Sequence, residues 1–292
     1  MIKRSVGERI FEIMNIIILT LLGLIALYPL WHVLMASISS GDGLARHTGA
    51  MFVPAGFSLK AYRLVLETPM VLKGYGNTLY VLVFGLAMSM TMTILGAFAL
   101  SRKGLYGRKV ILLFIIFTMY FSGGMIPFYF TVKNVGLADT RWALIVPTCV
   151  NTFNFIIMRT GFEAIPVSLE ESAKIDGAND FVVLWKIILP LAKPIIAVIV
   201  LYYAVGIWNS WFNAMLFLRN RELYPLQLVL REILIQNDTA AMTMGGGDAD
   251  TGMLNEVLKY ATICVATIPI LVIYPFLQKY FAKGVMVGAV KG

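Results

Sequence analysis

Glu171-Ser172-Ala173-Lys174-Ile175-Asp176-Gly177 opens a segment that closes on Ile187-Ile188-Leu189-Pro190, and long apolar stretches lie on either side of it. A polar, sharply punctuated segment in that setting divides one lipid-facing helix from the next, so its reading decides the fold. Pro166 and Ser168 precede it, and Glu171 stands three residues after Ser168. That is the spacing of a capping box, in which the Ser hydroxyl takes a free backbone N–H and the Glu returns the favour. Gly177 supplies a helix stop, and Asn179 or Asp180 caps a second short helix running to Pro190. Two small helices bent at a glycine are expected, outside the bilayer and shaped to touch another molecule.

The flanks set the class. The chain has 292 residues, of which 59% are hydrophobic and 14% charged, and its mean hydropathy is +0.80. A globular domain carries roughly 25% charged residues, so this composition is that of a polytopic membrane protein, and spans rather than domains are counted. At about 20 residues per crossing, six stretches are long enough: 13–37, 73–100, 110–131, 142–162, 194–218 and 257–282. The expected fold is therefore all-α, with six transmembrane helices in a single domain covering 1–292. Lys3, Arg4 and Arg9 precede the first stretch, whose apolar run to Ala36 is longer than the ~7–15 residues of a cleavable signal, so it reads as a helix that stays. Pro29, Pro127, Pro147, Pro269 and Pro275 fall inside these stretches and are tolerable where neighbouring helices satisfy the freed carbonyls.

Sidedness follows from the basic residues. Net charge is +8, from 24 Lys+Arg against 16 Asp+Glu, without the basic stripe that nucleic-acid binding needs, so no nucleic-acid partner is expected. The loop Ser101-Arg102-Lys103-Gly104-Leu105-Tyr106-Gly107-Arg108-Lys109 is strongly basic, and Lys279, Lys283 and Lys291 lie near the C-terminus. The loop after the third span has only Lys133 and Arg141, with Asp139 beside them. By the positive-inside rule both termini and the 164–193 segment face the cytoplasm, while the 39–72 and 219–256 segments face outward.

Signatures of soluble enzymes are absent. The sequence has no G-x-x-x-x-G-K-[ST], no H-E-x-x-H and no paired Cys/His spacing, so neither a P-loop nor a metal site is expected. His32 reads as an interfacial or packed residue, and Cys149 and Cys264 as small buried hydrophobes. Gly245-Gly246-Gly247-Asp248-Ala249-Asp250 faintly resembles a calcium-binding turn, but it occurs once and reads as a flexible outer loop. The spans are nearly free of ionisable groups; Lys73 and Arg159 sit near ends, where they snorkel. A transporter driven by an ion gradient, the competing reading, needs an acidic residue or His deep in the bundle, and a membrane-embedded enzyme needs clustered His or carboxylates. Energy therefore has to enter from outside the membrane. Gly85, Ser89, Thr93, Ala97 and Ser101 recur every four residues along the second span, a stripe that lets another helix approach closely. At the outer end of the fifth span, Trp208-Asn209-Ser210-Trp211-Phe212-Asn213 suits either an interfacial aromatic belt or a sugar path, since rings cover sugar C–H faces and amides bond hydroxyls.

The segment from Glu171 to Pro190 resembles the signature loop of permease subunits of ATP-binding-cassette importers, which runs E-A-A, three residues, G, nine residues, I-x-L-P. Ser172 replaces the middle Ala, a small-for-small change. The wider chain resembles the carbohydrate-uptake branch, as in the smaller permease of maltose transporters. Asn77-Thr78-Leu79, Ala97-Phe98-Ala99-Leu100-Ser101-Arg102, Ile126-Pro127, Gly136-Leu137-Ala138-Asp139-Thr140, Ile175-Asp176-Gly177-Ala178 and Trp208-Asn209 carry that likeness. Tyr224-Pro225-Leu226-Gln227 further resembles permeases for longer or acidic oligosaccharides, including alginate-type importers.

The resemblance implies a type I importer fold in a bacterial cytoplasmic (inner) membrane. It implies a heterodimer with a second homologous permease, two ATPase subunits that carry ATP and Mg, an extracytoplasmic solute-binding protein and a carbohydrate substrate, with membrane lipid around the spans. This chain itself would bind no cofactor and catalyse nothing. Glu170, Glu171, Ser172, Ala173, Asp176, Gly177 and Pro190 would form the ATPase-coupling loop. Glu171 would make the charged contact, Ala173 would allow close approach, Gly177 would set the bend and Asp176 would hold the loop. The tail 283–292, through Val290, Lys291 and Gly292, would reach between the ATPase subunits, and Trp208, Asn209, Trp211 and Asn213 would line the substrate path.

Overall fold

The computed structural model describes residues 6–102, 104–243 and 255–272, and among them the regular structure is helical, with one isolated bridge between Ser39 and Phe57. In chain order the helices are α1 (Val6–Ser37), α2 (Gly41–Arg46), α3 (Lys60–Glu67), α4 (Pro69–Ser101), α5 (Arg108–Tyr120) and α6 (Met125–Asn134). They continue as α7 (Trp142–Ile145, prolonged by a 3-10 turn at Val146–Thr148), α8 (Thr152–Glu163), α9 (Val167–Ile175) and α10 (Asp180–Val183). A π turn at Leu184–Ile188 then leads into α11 (Leu189–Leu191), α12 (Lys193–Trp208), α13 (Phe212–Phe217) and α14 (Leu226–Thr243). Last comes α15 (Asn255–Val272).

The described residues fall into two compact units, one within Met1–Pro69 and Leu230–Ile268, the other within Met70–Val229 and Pro269–Gly292. In the first, the large apolar side chains of α1 from Ile10 to Leu30 are exposed all round, the signature of a helix whose solvent is lipid. The segment after α1 folds back on its end. Trp31 Nε1 donates to the Phe52 carbonyl at 3.0 Å, the Met51 N–H donates to the Tyr28 hydroxyl at 3.0 Å, and Ser40 Oγ caps α2 through the Gly43 N–H at 3.1 Å. His32 is packed, against the Tyr28 and Tyr260 rings.

In the second unit the four-residue stripe of α4 is buried, from Gly85 to Ser101. A Cβ on Gly85 would stand 3.3 Å from Ile207, and one on Gly96 2.8 Å from Phe155, so small residues are what let α12 and α8 close on α4. One apolar core runs from Ala97 and Leu100 through Phe155, Met158 and Phe162 to Val183, Ile188 and Ile199, which seats the polar segment directly on the membrane helices.

Among the described residues, three helices are long and apolar enough to cross a membrane, or up to six if each of three bent pairs is one span. α1 and α4 occupy the first two expected stretches, and α15 begins the last, whose residues from 273 lie outside the described residues. The stretch 110–131, read as one span, is α5 and α6 at 115°. Gly124 causes the break: its φ of 85° and ψ of 171° are open essentially to glycine alone. The stretch 142–162 bends by 50° between Trp142–Thr148 and α8, where Asn151 restarts the helix as a side-chain cap for the Asn154 N–H. The stretch 194–218 stops at Trp208, with Asn209 as the C-cap residue, and resumes as α13. Asp180–Leu191 meets α12 at 84°, between Pro190 and Pro194.

Gly124→Val forces a branched side chain into that backbone conformation, and is expected to destabilise by about 1–3 kcal/mol. A thermal-unfolding scan in detergent checks this; an unchanged midpoint would show that the 115° turn does not depend on Gly124.

Candidate functional site

Tyr203, on α12, gathers three helices. Its hydroxyl lies 2.8 Å from Thr93 Oγ1 on α4 and accepts the Asn151 N–H at the start of α8 at 3.0 Å. Beside it opens a cavity of about 250 Å³. α4 contributes Thr78 and Val81, the start of α8 contributes Asn151 and Asn154, and α12 contributes Tyr202, Tyr203 and Gly206, with Thr148, Ser210 and Asn213 also in the wall. None of the lining residues is charged. Hydroxyl and amide groups on an otherwise apolar wall can exchange hydrogen bonds with a neutral polar solute, while they offer an ion no counter-charge. A Cβ built on Gly206 meets nothing within 4 Å, so the helix faces open space there.

One end of the cavity is framed by a polar lattice. Asn77 Nδ2 donates to the carbonyls of Glu222 at 2.7 Å and Tyr224 at 3.0 Å, and Asn77 Oδ1 accepts from Arg141 Nε at 3.0 Å. The Arg141 guanidinium lies over the Tyr80 ring, Lys73 pairs with Glu222, and Thr78 Oγ1 accepts the Leu226 N–H at 2.8 Å. Asp139 holds the preceding turn with a left-handed φ of 58°. Its carboxylate accepts the N–H groups of Asn220 and Arg219, each at 2.9 Å, and these bonds hold its pKa below the ordinary value. The segment leading to Pro225 in the cavity wall is thereby fixed at both ends.

Of the residues read from the sequence as a path, Asn213 lines the cavity. Trp208 is buried and packs on Tyr75, Asn209 is exposed, and Trp211 joins an apolar cluster with Val81, Leu144 and Ala214. Sequence reasoning missed Asn151, Asn154, Tyr202 and Tyr203. Their signal was available, since amides and phenols inside apolar spans must find partners.

The polar segment folds as two helices. α9 ends in a closed Schellman turn: the Ala178 N–H bonds the Ala173 carbonyl at 2.9 Å and the Gly177 N–H bonds the Lys174 carbonyl at 3.1 Å, with Gly177 at φ 85°. Asn179 Oδ1 then caps α10 through the Val182 N–H at 2.9 Å. The capping box expected of Ser168 and Glu171 does not form. Pro166, extended and without an N–H to satisfy, takes the N-cap position with no side-chain bond, which leaves Ser168 inside the first turn, where its carbonyl accepts from Ser172 Oγ at 2.9 Å.

Glu171, Ser172, Asp176 and Gly177 are exposed, as is Pro190, and Ile175 is 87% exposed, while Ala173 packs on the apolar core. Glu170 turns inward, accepting from Arg102 Nη1 at 2.9 Å and from Lys174 Nζ at 2.9 Å. Glu170 first, then Asp180 at 3.2 Å, raises the Lys174 pKa above the ordinary lysine value. Val290, Lys291 and Gly292, and the Gly245–Asp250 turn, lie outside the described residues. Among the described residues no group of three or more His, Cys, Asp or Glu side chains gathers where a metal would bind.

Helices that belong in lipid, an uncharged polar cavity between three of them and a prefolded loop with one open face define a membrane permease. The chain belongs to the family of binding-protein-dependent transport system inner membrane components, whose model matches residues 79–287. It is 43% identical over 284 residues to protein LplC of Bacillus subtilis (strain 168), covering 97% of this chain and 96% of that one. It is also 43% identical over 290 residues to the polygalacturonan/rhamnogalacturonan transport system permease protein YtcP of the same organism, covering 98% and 99%. Among solved structures it resembles a chain of a bacterial ABC transporter involved in the import of the acidic polysaccharide alginate, with 37% identity, a TM-score of 0.85 and coverage of 96% of this chain and 100% of that one. The all-α fold is thus that of an importer permease, and the chain is the inner-membrane transport component of such a system.

The depressed Asp139 pKa fixes the sign of a pH effect. Its contribution is fully present above the unfolded carboxyl value near 3.8 and is lost as pH falls through the lower folded value. Asp139→Asn is therefore expected to lower the melting temperature at neutral pH, with the gap to the parent closing in acid. A gap that stays constant down to the acid limit would remove Asp139 as the cause.

Proposed function

We propose that this chain is one half of the membrane pathway of an ATP-driven importer of oligosaccharide. Its substrate is handed over by a solute-binding protein on the outer face, and its movement is driven by ATPase subunits bound to residues 164–193. The cavity beside Tyr203 carries this reading. Its wall offers hydroxyls, amides and aromatic faces and no charge, which is the chemistry that meets sugar hydroxyls and C–H faces. The polygalacturonan/rhamnogalacturonan in the name of YtcP and the alginate in that of the solved importer support a carbohydrate substrate.

At about 250 Å³ the cavity lies just under the ~300–1,000 Å³ of complete small-molecule sites, which supports completion by a second permease subunit. ATP and Mg would reside on the ATPase subunits, and this chain would hydrolyse nothing by itself. With both termini in the cytoplasm, the open face of α9 presents Glu171, Ser172, Asp176 and Ile175 to the ATPase. Trp208, Asn209, Trp211 and Asn213 would stand near the outer mouth of the path, Asn213 in direct reach of substrate.

Gly206→Phe tests the path, because Gly206 lines the cavity and a Cβ there meets nothing within 4 Å. In reconstituted vesicles it is expected to block oligosaccharide uptake while the ATPase subunits still co-purify. Normal uptake would move the path elsewhere. Glu171→Arg combined with Gly177→Pro tests the loop and is expected to abolish both ATPase co-purification and uptake; survival of both would end the coupling reading.

A further inference from the structure

Arg102 stands where the long helix α4 ends, and its guanidinium holds three helices at once. Nη1 donates to Glu170 Oε2 on α9 at 2.9 Å, Nη2 donates to the Phe162 carbonyl near the end of α8 at 3.2 Å, and the group lies 5.3 Å from the Phe98 ring of α4 itself. The Arg102 and Glu170 side chains are only 15% and 9% exposed. The far ends of the same two membrane helices form the cavity wall, through Thr78 and Val81 on α4 and Asn151 and Asn154 at the start of α8. From Thr78 to Ser101 the helix spans about 35 Å at its rise of ~1.5 Å per residue.

Stability does not account for this pair. A buried ion pair gains little over apolar groups of the same shape. Arg102 Nε, moreover, is buried without a hydrogen-bond partner among the described residues, which is unfavourable. What a guanidinium supplies there is fixed orientation, since its planar fork sets angle as well as distance. The neighbouring ties do not involve α9: Arg159 on α8 bonds the Leu100 carbonyl of α4 at 3.0 Å and Glu163 of its own helix at 2.8 Å, and Arg108 on α5 pairs with Glu163. Among the described residues, Arg102–Glu170 is the ion pair that joins α4 to α9.

We propose that Arg102 is a positioning residue for energy coupling: through Glu170 it fastens α9 to α4 and α8, so that displacement of the loop is delivered as displacement of the cavity wall. This rests on the coupling role proposed above for residues 164–193. It also gives Glu170 a task distinct from that of its neighbour Glu171, holding the chain to itself where Glu171 faces the ATPase.

The test uses the full complex in vesicles, with substrate imported per ATP hydrolysed as the readout. Arg102→Gln and Glu170→Gln are each expected to leave ATPase co-purification intact and to lower that ratio about tenfold, inside the 5–150-fold range of typical coupling energies. The double variant is expected to fall no further than either single, because both remove one shared tie. Arg102→Lys, which keeps the charge without the fork, should recover part of the ratio. A ratio within about twofold of the parent in both singles, or a double-variant loss equal to the product of the single losses, overturns the proposal. If Arg102→Gln does not assemble, Glu170→Gln alone decides by the same ratio, since it removes the charge at constant size. Intact co-purification with an unchanged ratio defeats only the Arg102 tie, whereas failure of the unsubstituted complex to hold its ATPase defeats the coupling reading beneath it.

Discussion

Inside a bilayer every backbone N–H and C=O must find a partner within the protein, and this constraint organises the second unit. An unbroken helix such as α4 meets it without help. Helices that break inside an apolar stretch need substitutes, and the structure supplies them one by one. The Tyr203 hydroxyl takes the N–H of Asn151 where α7 gives way to α8, and Asn151 in turn takes the N–H of Asn154. At the start of α8 the interruption and the polar cavity fall at the same place, since Asn151 and Asn154 line the wall there. The residues that repair the backbone are also those that face the cavity.

The two ends of that unit do different work. Where α4 begins, Asn77 and Thr78 hold the chain from Glu222 to Leu226 through side-chain bonds to backbone, and Asp139 closes the turn before it. Where α4 ends, charge takes over, with Arg102, Arg108 and Arg159 each engaging a carboxylate on α8 or α9. Neutral bonds to carbonyls fix a rim. Ion pairs with a planar fork fix the direction in which one helix pulls another. The helices between these ends pack closely through small residues.

The fold class was legible in the sequence because it depends on composition and on the length of apolar runs. The small-residue stripe from Gly85 to Ser101 gave the buried face of α4, and Gly177 gave the stop of α9. The bends were not legible. Gly124 and Asn209 sit in runs whose hydropathy averages over them, and whether a glycine breaks a helix depends on what packs across it. The cap of α9 was misread because a capping box and a proline boundary compete for one helix start, and the proline's fixed φ prevailed. Glu170 and Glu171 look alike in sequence; one turns to Arg102 and the other to open space, a difference set by the helix phase and by a partner 68 residues away. Tyr203 was hidden for the same reason, since its partners belong to two other helices.

Gly206 sits within α12 with open space in front of it. In helix interiors alanine is favoured over glycine by about 1 kcal/mol, so the simplest stabilising substitution in this helix is also one that narrows the cavity. Helix stability and cavity volume therefore pull this position in opposite directions. A larger residue at this site would gain helix stability and lose cavity volume together.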